Sequence, residues 1–214
     1  VSKYLSEFFH HQEQDKANQV ITVALLFYTI IGSMLFLLIY IFNEQIIYFL
    51  NFGDKYNNIG ASILITTFLI FFVNMFSGVM INTLTALEEW KIVSLLNIFI
   101  KVINATLLAY ILLMENSAEE KILSIFSLLL WSSILKLFAH YFFVKQNFKL
   151  ISISKPSLEV KVKMVKFLKI SSLQYGLSLL GGHLDKFIIS KFFGLEALGI
   201  YSFAVSAFSY LHGF

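Results

Sequence analysis

Six long apolar runs, separated by charged stretches, constrain this chain more than any other feature. Residues 17–43 carry no charged side chain, and neither do residues 56–87. Residues 92–114 are interrupted only by Lys101, and residues 122–144 only by Lys136. A polar stretch follows, then an apolar run over 170–184 and a last one over 197–214. A helix needs about 20 mostly apolar residues to cross a bilayer. Strands of a membrane barrel would be shorter and would alternate, which these runs do not. Only 14% of the residues are charged, against about a quarter in a soluble domain, so the chain cannot cover itself with polar surface. The expectation is an all-α, polytopic membrane helix bundle with six transmembrane helices. The chain opens at Val1 and stops at Phe214 inside an apolar run, with no cleavable signal pattern over residues 1–16. It therefore reads as a fragment of a longer protein, missing both ends.

Loop lysines orient the helices, because basic loops stay cytoplasmic. Residues 145–169 hold Lys145, Lys149, Lys155, Lys161, Lys163, Lys166 and Lys169 against the single acid Glu159. This stretch is expected inside. Counting back, the acidic loop at 115–121 falls outside, the turn at 88–91 with Lys91 inside, the loop at 43–56 with Lys55 outside, and residues 1–16 with Lys3 and Lys16 inside. Inside loops then hold ten lysines and these outside loops two. The stretch 191–196 falls outside. Residues 145–169 also contain the sole proline, Pro156, and form the one plausible domain boundary. The second half of that stretch, SLEVKVKMVKFLK, reads either as an amphipathic helix on the anionic inner leaflet or as a plain charged linker.

Polar residues inside the apolar runs fall on stripes. Ser94, Asn97, Lys101 and Asn104 stand at i, i+3, i+7 and i+10, one helical face. Asn74, Ser77, Gly78, Asn82 and Thr85 follow the same rule on the preceding helix. Ser132, Lys136 and His140 are each four apart, and Ser171, Ser178 and Asp185 each seven apart. Small and hydroxyl residues on such a stripe serve helix packing. A lysine is different, because a lipid-facing charge at helix centre costs roughly 2.5–3.5 kcal/mol on insertion scales. Lys101 is too deep to reach the interface easily, so it is expected to face a cavity. Lys136 is closer to the cytoplasmic end and within snorkelling reach. His140 reads as an interfacial or satisfied polar residue.

Several function classes are excluded. The chain has no cysteine, and a net charge of +3 is too small for a nucleic-acid partner. No HExxH, GxSxG, phosphate-binding loop or clustered metal ligand is present, so no catalytic or metal site and no cofactor is expected. His10 and His11 are adjacent and do not share a helix face.

The segment DKFIISKFFGLEALGIYSFA, residues 185–204, resembles the stretch that opens each half of the bacterial polysaccharide flippases (Wzx-type, in the multidrug/oligosaccharidyl-lipid/polysaccharide transporter superfamily). That pattern is Asp–basic–apolar run–Gly–small/acidic–Gly–Tyr. Asp185, Lys186, Gly194, Leu195, Ala197, Gly199 and Tyr201 occupy it, with lysine where the family usually has arginine. KFLKISSLQYGLSLLGG resembles the family's entry to its seventh helix. VSKYLSEFFHHQEQDKANQVITVALL resembles the link between its second and third helices, and LEEWKIVSLLNIFIKVINATLL its fourth-to-fifth junction. The resemblance spans the chain and implies a fragment of a two-lobe transporter of 12–14 helices. Residues 1–150 would be the later part of the first lobe, with about four transmembrane helices. Residues 151–169 would be the basic cytoplasmic linker, and 170–214 the first hairpin of the second lobe.

The resemblance further implies a non-enzymatic flippase in the bacterial cytoplasmic membrane, with residues 1–16 and 145–169 cytoplasmic. Its cargo would be an undecaprenyl-diphosphate-linked oligosaccharide, moved outward for polysaccharide or O-antigen synthesis by two lobes rocking about a polar, cationic cavity. Substrate-binding candidates are Lys101, Lys136, Asn97, Asn104, Asn74 and Lys186. Asp185 is the candidate for coupling to a proton or sodium ion. The partners are then the lipid-linked glycan and the bilayer. Rival readings are a multidrug cation antiporter, which would need acids in its cavity, a lipid II flippase, a membrane polysaccharide polymerase or glycosyltransferase, and a non-transporting scaffold. Asp185 is the only deeply placed acid, whereas Lys101 and Lys136 are basic, which favours an anionic cargo.

Overall fold

A computed structural model describes residues 1–50, 57–114, 117–147 and 154–212. Lys55, Glu115, Lys149 and the last two residues of the final apolar run lie outside them. The described residues form seven helices and no strand: α1 (Ser2–His10), α2 (Gln14–Ile41), α3 (Asn43–Leu50), α4 (Asn57–Ala86), α5 (Trp90–Leu113), α6 (Ala118–Asn147) and α7 (Leu158–His212). Five of these, α2 and α4 to α7, have spans long and apolar enough to cross a membrane. The chain is an all-α polytopic helix bundle.

The sixth expected segment is the second leg of α7. At Gly194 the backbone leaves the helical region, with φ 82° and ψ 178°. Beyond the break, the Tyr201 hydroxyl donates to the Asp185 carboxylate. Sixteen residues of straight helix span about 24 Å, so this hydrogen bond requires the chain to double back at Gly194. α7 is therefore a hairpin whose legs meet at Asp185 and Tyr201. Glycine suits the reversal, since the conformation at Gly194 is essentially closed to side-chain-bearing residues. Gly199 sits in regular helix and plays no part in the turn.

Two short helices were not foreseen. α3 occupies part of the expected loop at 43–56. Its NEQIIYFL sequence is too short to register as a span. α1 lies within the polar opening stretch, where Leu5 and Phe8, three apart, give it a buried apolar edge.

α4 is the hub. It packs against α6 most extensively and also touches α1, α2, α3 and α5. α5 packs mainly on α6, and α7 packs on α2 and α3. Tight turns reverse the chain between α4 and α5, where Glu88 takes the left-handed conformation at φ 63°, and α6 therefore runs parallel to α4. Near mid-span α2 and α4 approach closely at Gly32, whose place against the Phe72 ring would be lost to any side chain. Along α4 there, Phe68 stacks on Phe72 at a centroid spacing of 6.0 Å, and Phe72 meets Phe76 edge-on at 4.9 Å.

Burial is concentrated at one end of the bundle. The core cluster joins Leu5 and Phe8 of α1, Ala17 to Ala24 of α2, Val79 to Ala86 of α4, Val93 of α5, Val144 of α6, and Val160, Met164 and Leu168 of α7. This is the end bearing most of the lysines. Water reaches that end, so the hydrophobic effect acts there. Inside lipid it does not drive helix association. The far end is open by contrast, with Tyr48, Leu113 and Phe192 each more than 70% exposed.

Candidate functional site

The polar stripes converge on α6 from two sides. The Asn104 amide donates to Ser132 Oγ at 2.7 Å, tying α5 to α6. The Asn74 amide donates to Ser133 Oγ at 3.3 Å, tying α4 to α6. Ser133 Oγ in turn donates to the Leu129 carbonyl at 2.9 Å, so its lone pair is free to accept from Asn74. α5 and α6 are antiparallel. Three residues back from Asn104 therefore stands level with three residues on from Ser132, which sets Lys101 beside residue 135 and next to Lys136. The same register puts Asn97 level with residue 139, beside His140. Asn97, Lys101, Asn104 and Lys136 thus lie along one polar seam between α5 and α6, and Asn74 meets α6 from the α4 side.

The seam is accessible. Lys101 and Asn74 are exposed, and Asn97, Asn104 and Lys136 are half-buried. Only Val93 and Ile100 of α5 are buried, so the helix lies on the margin of the bundle, with Lys101 at the exposed edge of the face that Asn104 turns to α6.

Lys186 and Asp185 stand apart from it. Both lie on the first leg of α7, which packs on α2 and α3 rather than on α5 and α6. Asp185 accepts from Tyr201 on the second leg of α7. Lys186 lines a groove of about 930 Å³ along α7, with Leu50, Leu173, Leu180, His183 and Leu198. The groove wall is almost wholly apolar.

His140 lies inside the fold. Its side chain is fully buried, Nδ1 lies 2.7 Å from the Lys136 carbonyl, and Nε2 is buried without a hydrogen-bond partner. A carbonyl only accepts, so Nδ1 carries a proton and donates it. The ring is therefore satisfied at Nδ1 and not at Nε2. Ser133, as the partner of Asn74, was missed, because a lone serine beside the Ser132 stripe carries no distinguishing signal. Tyr201 was placed only as part of a motif. Its pairing with Asp185 needs the hairpin to be visible. Among the described residues, no group of three or more His, Cys, Asp or Glu side chains is placed to hold a metal.

A bundle of spanning helices with a cationic, amide-rich seam on an accessible face defines a multi-pass membrane protein with a polar intramembrane surface. The chain belongs to the family of polysaccharide biosynthesis proteins, which matches it over residues 1–214. No curated protein and no solved structure matches it. Family and fold together give a polysaccharide-related membrane transport role.

Proposed function

We propose that the protein is a flippase that moves a polyprenyl-diphosphate-linked oligosaccharide, of the undecaprenyl type, from the inner to the outer face of the bacterial cytoplasmic membrane. The observation that carries this reading is the α5–α6 seam, with Lys101 and Lys136 at one level near mid-span. Two like charges on neighbouring helices repel in a medium of low dielectric, and facing lipid would cost each of them several kcal/mol. An arrangement that keeps both is favourable when an anion sits between them, and a diphosphate carries that charge. Asn74, Asn97 and Asn104 supply amides for sugar hydroxyls beside it. Lys186 would serve the second lobe, and Asp185 is the residue of this set that could carry a coupling proton or sodium ion. In this reading 1–150 belong to the first lobe, 151–169 to a cytoplasmic connection and 170–214 to the second lobe, with 1–16 and 145–169 on the cytoplasmic side. Two lobes rocking about the seam give alternating access.

The test is made in cells lacking the native gene. Lys101→Gln should leave the protein in the membrane at normal level, stop surface polymer export, and cause lipid-linked repeat units to accumulate on the inner face. Normal export by Lys101→Gln would remove the proposal.

A further inference from the structure

The first leg of α7, up to Gly194, is held at both ends, and the two attachments differ in kind. At the lysine-rich end, Val160, Met164 and Leu168 recur every four residues and are buried in one cluster with Leu5 and Phe8 of α1. The Tyr4 ring meets Phe167 edge-on at 5.3 Å. Lys163 lies over the Tyr4 ring at 4.9 Å and 3.7 Å from Glu7. The backbone before the helix is tied as well: the Ser154 N–H donates to Thr22 Oγ1 at 3.3 Å and the Ser157 N–H to Gln19 Oε1 at 2.9 Å. At the other end, Ser190 Oγ donates to the Leu50 carbonyl at 2.7 Å, and the Lys191 ammonium lies 5.3 and 5.1 Å from the Tyr48 and Phe49 rings. Those rings are 83% and 52% exposed. The apolar groove runs between the two attachments.

We propose that this leg is fixed to α1 and α2 at the lysine-rich end and unclasps from α3 at the other, so that it swings about the fixed joint and opens the groove beside Leu50. States that interconvert in a working cycle must lie close in free energy. Drawing five buried apolar side chains into water would separate them too far. Releasing one hydroxyl–carbonyl bond and two exposed cation–π contacts would not. The swing serves the transport role proposed above and rests on it.

Residues 1–214 contain no cysteine, so thiols can be placed singly in this region once any elsewhere in the full-length protein are replaced. Ser190 and Met164 are both buried at rest, at 3% and 1% exposure, which makes them a matched pair. In the full-length protein in membranes, Ser190→Cys should react with a water-soluble maleimide, and Met164→Cys (or Leu168→Cys) should stay protected. Tying Tyr48→Cys to Lys191→Cys with a short bifunctional thiol reagent should protect Ser190→Cys and slow glycan transport by about tenfold or more, whereas tying Tyr4→Cys to Phe167→Cys should leave transport within about twofold. Labelling of Met164→Cys as fast as Ser190→Cys overturns the proposal, as does loss of transport on tying α1 to α7 or normal transport with α3 tied. If the untied protein moves no lipid-linked glycan, the transport reading fails, and the two labelling rates still decide whether the joint is fixed and the clasp opens.

Discussion

Replacing Gly194 by alanine isolates one backbone conformation from everything around it. A Cβ built at Gly194 would meet no atom within 4 Å, so the substitution causes no clash. What remains is the φ of 82° with ψ of 178°, a region that costs a side-chain-bearing residue on the order of 1–3 kcal/mol. Nothing nearby returns that energy. The hairpin can relieve it only by opening, which breaks the hydrogen bond between Tyr201 and Asp185. The closed-to-open ratio should therefore fall by roughly 5- to 150-fold, at about 1.4 kcal/mol per tenfold. Gly199→Ala is the matched control, because Gly199 is helical and its Cβ position is also free. Alanine there should be neutral or slightly stabilising. The assay is the yield of a thiol cross-link between Asp185→Cys and Tyr201→Cys in each background, read under conditions where the otherwise unaltered hairpin is half cross-linked. A yield that falls equally in both glycine variants, or in neither, would refute the reasoning from backbone strain.

Two further substitutions test the packing. Gly32→Val should force the Phe72 ring, which fills the place of its Cβ, away from Phe68 and Phe76, and lower the stability of the α2–α4 contact by about 1–3 kcal/mol. Its check is thermal unfolding in detergent against Gly78→Val, where no atom stands within 4 Å. A double-mutant cycle of Asn104→Leu and Ser132→Ala should give a coupling near 0.6 kcal/mol, the usual worth of a hydrogen bond between membrane helices. Additive effects would mean that the α5–α6 tie is not made.

The spans were legible because hydrocarbon demands long charge-free runs. The runs at 56–87 and 92–114 correspond closely to Asn57–Ala86 and Trp90–Leu113. The stripes were legible for the same reason: polar side chains in lipid must share a face, and the register at Asn104 and Ser132 brings two of those faces together. α3 was not legible, since eight residues ending an apolar region leave no periodic signal of their own. Nor was the destination of Val160, Met164 and Leu168. Their spacing of four marks an apolar edge, but a bilayer surface and the α1 edge offer such a stripe the same burial, and only the fold places Leu5 and Phe8 against it. Tyr201 was not joined to Asp185 from sequence, because a turn at 191–196 makes a hairpin without fixing which residues of its two legs meet. The full burial of His140 was not legible, because its level on α6 is visible in the sequence while its neighbours in space are not.

The central claim is that Lys101 and Lys136 together receive an anionic lipid-linked head group. It is tested most directly by the rate at which the full-length protein, reconstituted in liposomes, moves a fluorescent polyprenyl-diphosphate oligosaccharide between leaflets. A charge contact near a protein surface is worth a few kcal/mol at most, so Lys101→Gln and Lys136→Gln should each slow movement by about tenfold or more. Lys101→Arg, which keeps the charge, should retain most of it. Movement at the wild-type rate by a protein carrying both glutamines would contradict the account.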